Sequence, residues 1–207
     1  MNMQYVIKRD GRFEDFDREK VLATLRRAAP ATDTSGEPDL APVVRELERS
    51  IFDGISSSRI HQALILASTA FVERDPAYNR LAAGLLLQQL RREVFGASLA
   101  AEAVESAYRD AFISGIRRGV EDGLFAPELL ELDLERLAAA LAPGRDGEFT
   151  YLGLQTLAER YLVKTDGTLL ETPQAFWMRV SMGLSIGEDD PSGRAVEFYE
   201  TLSSLRF

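Results

Sequence analysis

The sequence predicts a mainly α-helical fold in two parts. A short N-terminal β-hairpin is carried on four helices, and an all-helical second half follows. Three observations predict this. An Asp10-Gly11 dipeptide stands between two strand-like runs, residues 4–9 and 12–16. Beyond Asp17, apolar residues recur at three- and four-residue spacing through most of the chain. Breakers at Pro76, Gly96 and Gly123 cut that pattern into helix-length segments.

The elements follow in order. Asp-Gly between strands favours a two-residue type I′ turn, because both turn residues need positive φ. That turn sets Tyr5 opposite Phe16, Ile7 opposite Glu14 and Lys8 opposite Phe13, with Tyr5, Ile7 and Phe16 on the buried side. Asp17 opens the first helix, where Val21, Leu22 and Leu25 form the apolar stripe. "PATDTSGEPDL" is a loop by its Pro, Gly, Ser and Thr content, and "APVVRELERSIF" is the second helix. "DGISSSRIHQALILASTAFVERD" is a turn and a third helix that Ser56, Ser57 or Ser58 caps. Pro76 closes that region, and "AYNRLAAGLLLQQLRREVF" is the fourth helix, ending at Gly96. The boundary between the halves falls near residues 97–100. In the second half, "SLAAEAVESAYRDAFISGIRRGVEDG" is a long helix and "PELLELDLERLAAALAP" continues the helical pattern. "YLGLQTLAERYLV" and "TPQAFWMRVSMGLSI" are two more helices, with a hairpin turn at "KTDGT" between them. Gln174 or Arg179 is a candidate to anchor a neighbouring loop. The last helix runs to Leu205, Arg206 and Phe207 with no closing residue, so a continuation in a longer protein or a partner polypeptide is expected.

Composition bounds the function. A 207-residue chain suits one large domain or two small ones, and 45% apolar content can fill a core. The formal net charge of -9 argues against nucleic acid, whose binding domains carry a basic footprint. The chain has no cysteine, which removes disulfides, cysteine zinc sites and thiol chemistry from it. "MNMQYVIKRD" lacks the apolar stretch of a secretory signal, and "LAAGLLLQQL" is far shorter than the roughly 20 residues that span a bilayer. A cytoplasmic protein with no membrane association is expected.

The chemistry that the spacing allows is an anion site. A helix N-terminus presents unpaired N–H groups and a positive dipole end, and three serines precede or start the third helix. Ser57 and His61 are four apart and share a face. Lys8, Arg9 and Lys20 supply cations, and Arg91 and Arg92 supply more if the fourth helix packs alongside. Glu14 and Asp17 can accept from an exocyclic amine or a ribose hydroxyl. Together these suit a nucleoside triphosphate. Each also has a plain structural reading: a basic hairpin tip as a solvated turn, the serines as a cap, and His61 as a packed, hydrogen-bonded histidine. There is no GxxxxGK[ST] loop and no GxGxxG. The second half has no histidine, and its carboxylates are scattered, so it reads as a platform.

"VIKRDGRFEDFDREKV", with "DGISSSRIHQALILASTAFVERDPAYNRLAAGLLLQQLRREVFG", resembles the ATP-cone of ribonucleotide reductase large subunits. "FTYLGLQTLAERYLVKTDGTLLETPQAFWMRVSMGLSIG", with "AVEFYETLSSLRF", is similar to the all-α N-terminal domain that follows the cone in that family. The resemblance implies an ATP-cone over residues 1–97 and an all-α domain over residues 98–207. It implies ATP as activator and dATP as inhibitor, with Mg2+, and no redox cofactor in this chain. The reduction itself would lie in a catalytic barrel C-terminal to the matched region, in the same or a separate chain, so this part is not catalytic alone. A radical-generating small subunit and an oligomeric assembly are further implied partners. The positions matching the family's nucleotide contacts are Val6, Lys8, Arg9, Glu14, Asp17, Lys20, Ser57, His61 and Arg92. Glu14 and Asp17 match the adenine side, Ser57 and the basic residues match the triphosphate side, and His61 lies near the sugar and phosphates. Asp17 stands where the family commonly has asparagine. The alternative is a degenerate cone that serves only as an assembly module.

Overall fold

The computed structural model describes residues 5–29, 38–97 and 101–205. The first part of the expected loop, residues 30–37, and the chain end at Arg206 and Phe207 lie outside the described residues. The fold is mainly α, as expected. Packing divides the chain into two units: residues 1–89 with 149–155, and residues 90–148 with 156–207.

In the first unit, β1 (Tyr5–Ile7) and β2 (Phe13–Asp15) pair antiparallel. Tyr5 lies opposite Asp15, Val6 opposite Glu14 and Ile7 opposite Phe13, one residue off the expected register. The turn explains the slip. Lys8 N–H donates to the Arg12 carbonyl at 2.8 Å, and Gly11 N–H donates to the Lys8 carbonyl at 3.0 Å. That closes a three-residue loop in which Gly11 has φ of 81° and Asp10 is not left-handed. The Asp10 carboxylate takes Arg12 N–H at 3.1 Å and Arg12 Nε at 2.7 Å, a local pairing that holds Asp10 out of the αL region. A slip of one residue exchanges faces. Val6 is therefore the buried strand residue, with Phe16 packed beside it, while Phe13 is 66% exposed and Tyr5 also faces outward.

A third strand, β3 (Ile55–Ser56), escaped the sequence reading. It pairs parallel to β1, with Val6 opposite Ile55 and Ile7 opposite Ser56, giving the order β2-β1-β3. At two residues it carries no alternation to detect. The helices of this unit are α1 (Arg18–Ala28), α2 (Ala41–Ser50), α3 (Ser57–Thr69) and α4 (Ala77–Phe95). Their core gathers Val21, Leu25, Val43, Val44, Leu47, Leu64, Leu81 and Leu85. Gly84 permits a close approach: a Cβ there would lie 2.0 Å from the Ala28 carbonyl oxygen.

In the second unit, α5 spans Val104–Glu121. The expected helix after it is two pieces, a 3₁₀ turn over Pro127–Glu131 and α6 (Leu134–Ala139). Leu132 between them is extended, and the Asp133 side chain caps α6 by accepting Arg136 N–H at 3.0 Å. The remaining helices are α7 (Tyr151–Arg160), whose first residues join the first unit, α8 (Pro173–Ser185) and α9 (Pro191–Ser203). Between α7 and α8, β4 (Lys164–Thr165) and β5 (Thr168–Leu169) form the expected hairpin. Here Asp166 and Gly167 both have positive φ, at 49° and 78°, as a type I′ turn requires. The core packs Phe112, Ile116, Leu137, Met178, Met182, Ala195 and Tyr199.

Candidate functional site

The β1–β2 register decides which side chains meet. Val6 and Glu14 are directly paired, and Lys8 lies two residues along from Val6 on the same face. Lys8 Nζ reaches Glu14 Oε2 at 3.5 Å. Lys20, on the first turn of α1, reaches the same oxygen at 2.9 Å. The Lys20 hydrogen bond and charge, then the Lys8 charge, hold the Glu14 carboxyl below the usual carboxylate range. Reciprocally, Glu14 raises Lys20. Asp17 caps α1, accepting Glu19 N–H at 2.9 Å and Lys20 N–H at 3.2 Å, which places a negative charge at the positive end of the helix. Beside these groups opens a groove of about 710 Å³ between Tyr5, Phe13, Phe16 and the first turn of α1, and Glu14, Asp17 and Lys20 line it. That volume is in the range of a small-molecule pocket.

The β1–β3 pairing sets the start of α3 next to the hairpin. Ser56, opposite Ile7, is the cap: its side chain accepts Arg59 N–H at 3.3 Å and meets Ser58 Oγ at 3.0 Å. Ser57 is the first helical residue and is half-buried. His61, one turn on, is only 5% exposed. Its Nε2 lies 2.7 Å from the Leu85 carbonyl, and since a carbonyl only accepts, Nε2 carries the proton. The histidine thus ties α3 to α4. Arg9 is exposed within the hairpin loop, and Arg92 lies on the part of α4 that belongs to the second unit. Val6, Lys8, Glu14, Asp17 and Lys20 are therefore gathered at the hairpin and the α1 N-terminus, with Ser57 and His61 on the adjoining helix. Among the described residues no group of three or more His, Asp or Glu side chains is placed to hold a metal ion. No helix among them is long and apolar enough to cross a membrane.

The second unit holds a buried polar network that the sequence reading missed. Asp146 is fully enclosed. Its Oδ2 takes the Tyr108 hydroxyl and lies 3.4 Å from Arg91 Nη2, while Oδ1 takes Gln174 Nε2 at 2.9 Å. Arg91 Nε donates to the Tyr108 hydroxyl at 2.7 Å, and its Nη2 donates to the Pro143 carbonyl at 3.3 Å. Tyr199 donates to Gln174 Oε1 at 2.7 Å and accepts Ala142 N–H at 2.8 Å. Burial pushes the Asp146 carboxyl up against the opposing pull of Arg91 and its hydrogen bonds. Burial, then the neighbouring carboxylate, pushes Tyr108 well above the usual phenol range. Gln174 and Arg179 both anchor loops. Gln174 holds Asp146, and Arg179 grips buried Glu171 through two bonds of 2.8 and 2.9 Å at the base of the β4–β5 hairpin.

Comparison with known proteins bears on both units. The family model of the ATP cone domain matches residues 4–93, and that of the ribonucleotide reductase all-alpha domain matches residues 147–207. The ribonucleoside-diphosphate reductase subunit alpha of Chlamydia trachomatis is 37% identical over 206 residues, covering 98% of this chain and 19% of that protein. The same subunit of Chlamydia muridarum is 38% identical over 207 residues, covering 98% and 19%. That of Enterobacteria phage T4 is 31% identical over 215 residues, covering 99% and 26%. The chain thus spans 19% of the length of the Chlamydia relatives it matches. By these matches the chain is an ATP-cone followed by a ribonucleotide reductase all-alpha domain, and it belongs with the N-terminal region of the reductase large subunits.

Proposed function

We infer that the cone, residues 1–97, binds ATP and dATP and thereby regulates ribonucleotide reduction carried out by a catalytic barrel outside this sequence. The all-α domain, residues 98–207, then carries the cone. The observation that supports this most is the pairing of Lys8 and Lys20 with Glu14, where Glu14, Asp17 and Lys20 line an open groove, in a segment that matches the ATP cone domain. Lys8, Arg9, Lys20, Ser57 and Arg92 are assigned to the phosphates, Glu14 and Asp17 to the adenine side, Val6 to the floor under the ligand and His61 to the sugar. Lysine ammoniums and serine hydroxyls fit an oligophosphate, and carboxylates fit an amine. Mg2+ would arrive with the nucleotide, since this ion is commonly held by phosphates and few protein ligands. A radical-generating small subunit and further copies of the large subunit are the partners this reading assigns to the whole enzyme.

A second reading, a cone that serves only assembly, draws on one observation: the Asp17 carboxylate is already engaged in capping α1. Calorimetry of the 207-residue chain with ATP and with dATP separates the two readings. Saturable heat with both nucleotides is expected, and Lys8→Ala and Lys20→Ala should each weaken binding about three- to thirtyfold with an unchanged melting temperature. No heat with either nucleotide would favour the assembly reading.

A further inference from the structure

We propose that Glu14 is a resident counter-anion that occupies Lys8 and Lys20, so that an incoming oligophosphate must displace it. Resting on the nucleotide reading, this makes Glu14 the residue by which the site rejects bare oligophosphates. The geometry is specific. One carboxylate oxygen, Oε2, receives both ammoniums, at 3.5 Å from Lys8 and 2.9 Å from Lys20. Those lysines come from different elements, β1's end and the first turn of α1, and Glu14 on β2 is the group they share. A phosphate chain reaching either lysine must compete with that oxygen.

Displacement leaves the carboxylate without its cations. A bare oligophosphate offers it nothing in return, because the chain carries acceptors and negative charge. A nucleotide that presents an exocyclic amine offers N–H donors, and the freed carboxylate is an acceptor. Glu14 therefore taxes both ligands at the phosphate end and repays only the one with a donor-bearing head. Asp17 is placed differently, since its Oδ1 is already held by two backbone N–H groups of α1.

The test uses the full 207-residue chain at low ionic strength, with inorganic tripolyphosphate and ATP titrated into wild type and Glu14→Gln. The amide removes the charge and keeps the shape, so both lysines are released. Tripolyphosphate affinity is expected to rise roughly three- to tenfold, the scale of two exposed ion pairs. ATP should gain less, so its advantage over tripolyphosphate narrows. In a Lys20→Met background, the gain from Glu14→Gln should shrink. Glu46→Gln on α2, where the carboxylate pairs with Arg49, makes the same change in net charge and should leave tripolyphosphate binding within about twofold. If the amide variant melts early, Glu14→Thr repeats the test with a residue better suited to a strand.

Unchanged or weaker tripolyphosphate binding in Glu14→Gln overturns the proposal, as does an equal gain in Glu46→Gln. ATP binding by wild type without that gain sinks this proposal and leaves the nucleotide reading standing. A gain for tripolyphosphate in a chain that never binds ATP keeps Glu14 as the counter-anion of the two lysines but overturns the nucleotide reading, and with it the discrimination against bare oligophosphate. No binding of either probe by any variant overturns both.

Discussion

Asp146 lies fully buried, with Arg91, Tyr108 and Gln174 around it, and the energetics of that position follow from desolvation. Asparagine would set an NH2 group against the Tyr108 hydroxyl or the Gln174 amide donor, leaving a buried donor unsatisfied, so Asp146→Asn should cost about 2 kcal/mol of stability at neutral pH, read by thermal or denaturant melting. The pH dependence has a definite sign. The folded carboxyl has a pKa above its ordinary 3.8, so between 3.8 and the folded value the folded state binds the proton more tightly. Stability from this group therefore falls as pH rises through that window and is constant above it. The gap between wild type and Asp146→Asn should widen on acidification through the window, and a gap that narrows there would contradict the assignment. The residue was not legible in the sequence, because an acid in "GRDGEF" looks like a solvated turn. Lys8, Glu14 and Lys20 were legible, since charge placed around a turn and a helix start declares itself in one dimension. His61 was legible as either a ligand contact or a packed histidine, and its bond to the Leu85 carbonyl accounts for Nε2 in the second sense.

The two Asp-Gly turns show where legibility ends at the level of the element. The same dipeptide forms a type I′ turn at Asp166-Gly167 and a three-residue loop at Arg9–Gly11. The difference is Arg12, whose backbone and side chain both draw the Asp10 carboxylate forward. A dipeptide rule cannot see that competition, and the one-residue slip it causes moved Val6 rather than Tyr5 into the core. The long helices were legible because their apolar spacing repeats over several turns. Strand β3 was not, because two residues hold no period and its partner lies about fifty residues away in sequence. The crossing of α1 and α4 was equally hidden: Gly84 lies inside an ordinary helical run, yet no side chain fits there. Gly84→Ala would normally stabilise a helix interior by about 1 kcal/mol. Here the new methyl would meet the Ala28 carbonyl, so a net loss of roughly 2–3 kcal/mol is expected. A melting temperature equal to or above wild type would show that the helices part at no cost.

Across the whole molecule, the balance of charge is acidic, and an anion is recognised only where a few cations are held together against that background. Binding there should be felt beyond the cone. Two helices, α4 and α7, each contribute residues to both units, so unfolding one unit truncates helices of the other. The single tryptophan, Trp177, belongs to the second unit and packs on its core, whereas Lys8, Glu14 and Lys20 belong to the first. Tryptophan fluorescence therefore reports the second unit. At a hundredfold excess over Kd, a ligand that binds only the folded chain stabilises it by about 2.7 kcal/mol. For a chain of this size that is a rise of roughly 5–10 °C. If the shared helices make unfolding a single step, ATP should move the Trp177 transition as far as it moves the loss of helix seen by circular dichroism. A Trp177 transition that stays in place while part of the helical signal moves would mean that the two units melt separately and that α4 and α7 fray where they pass between them.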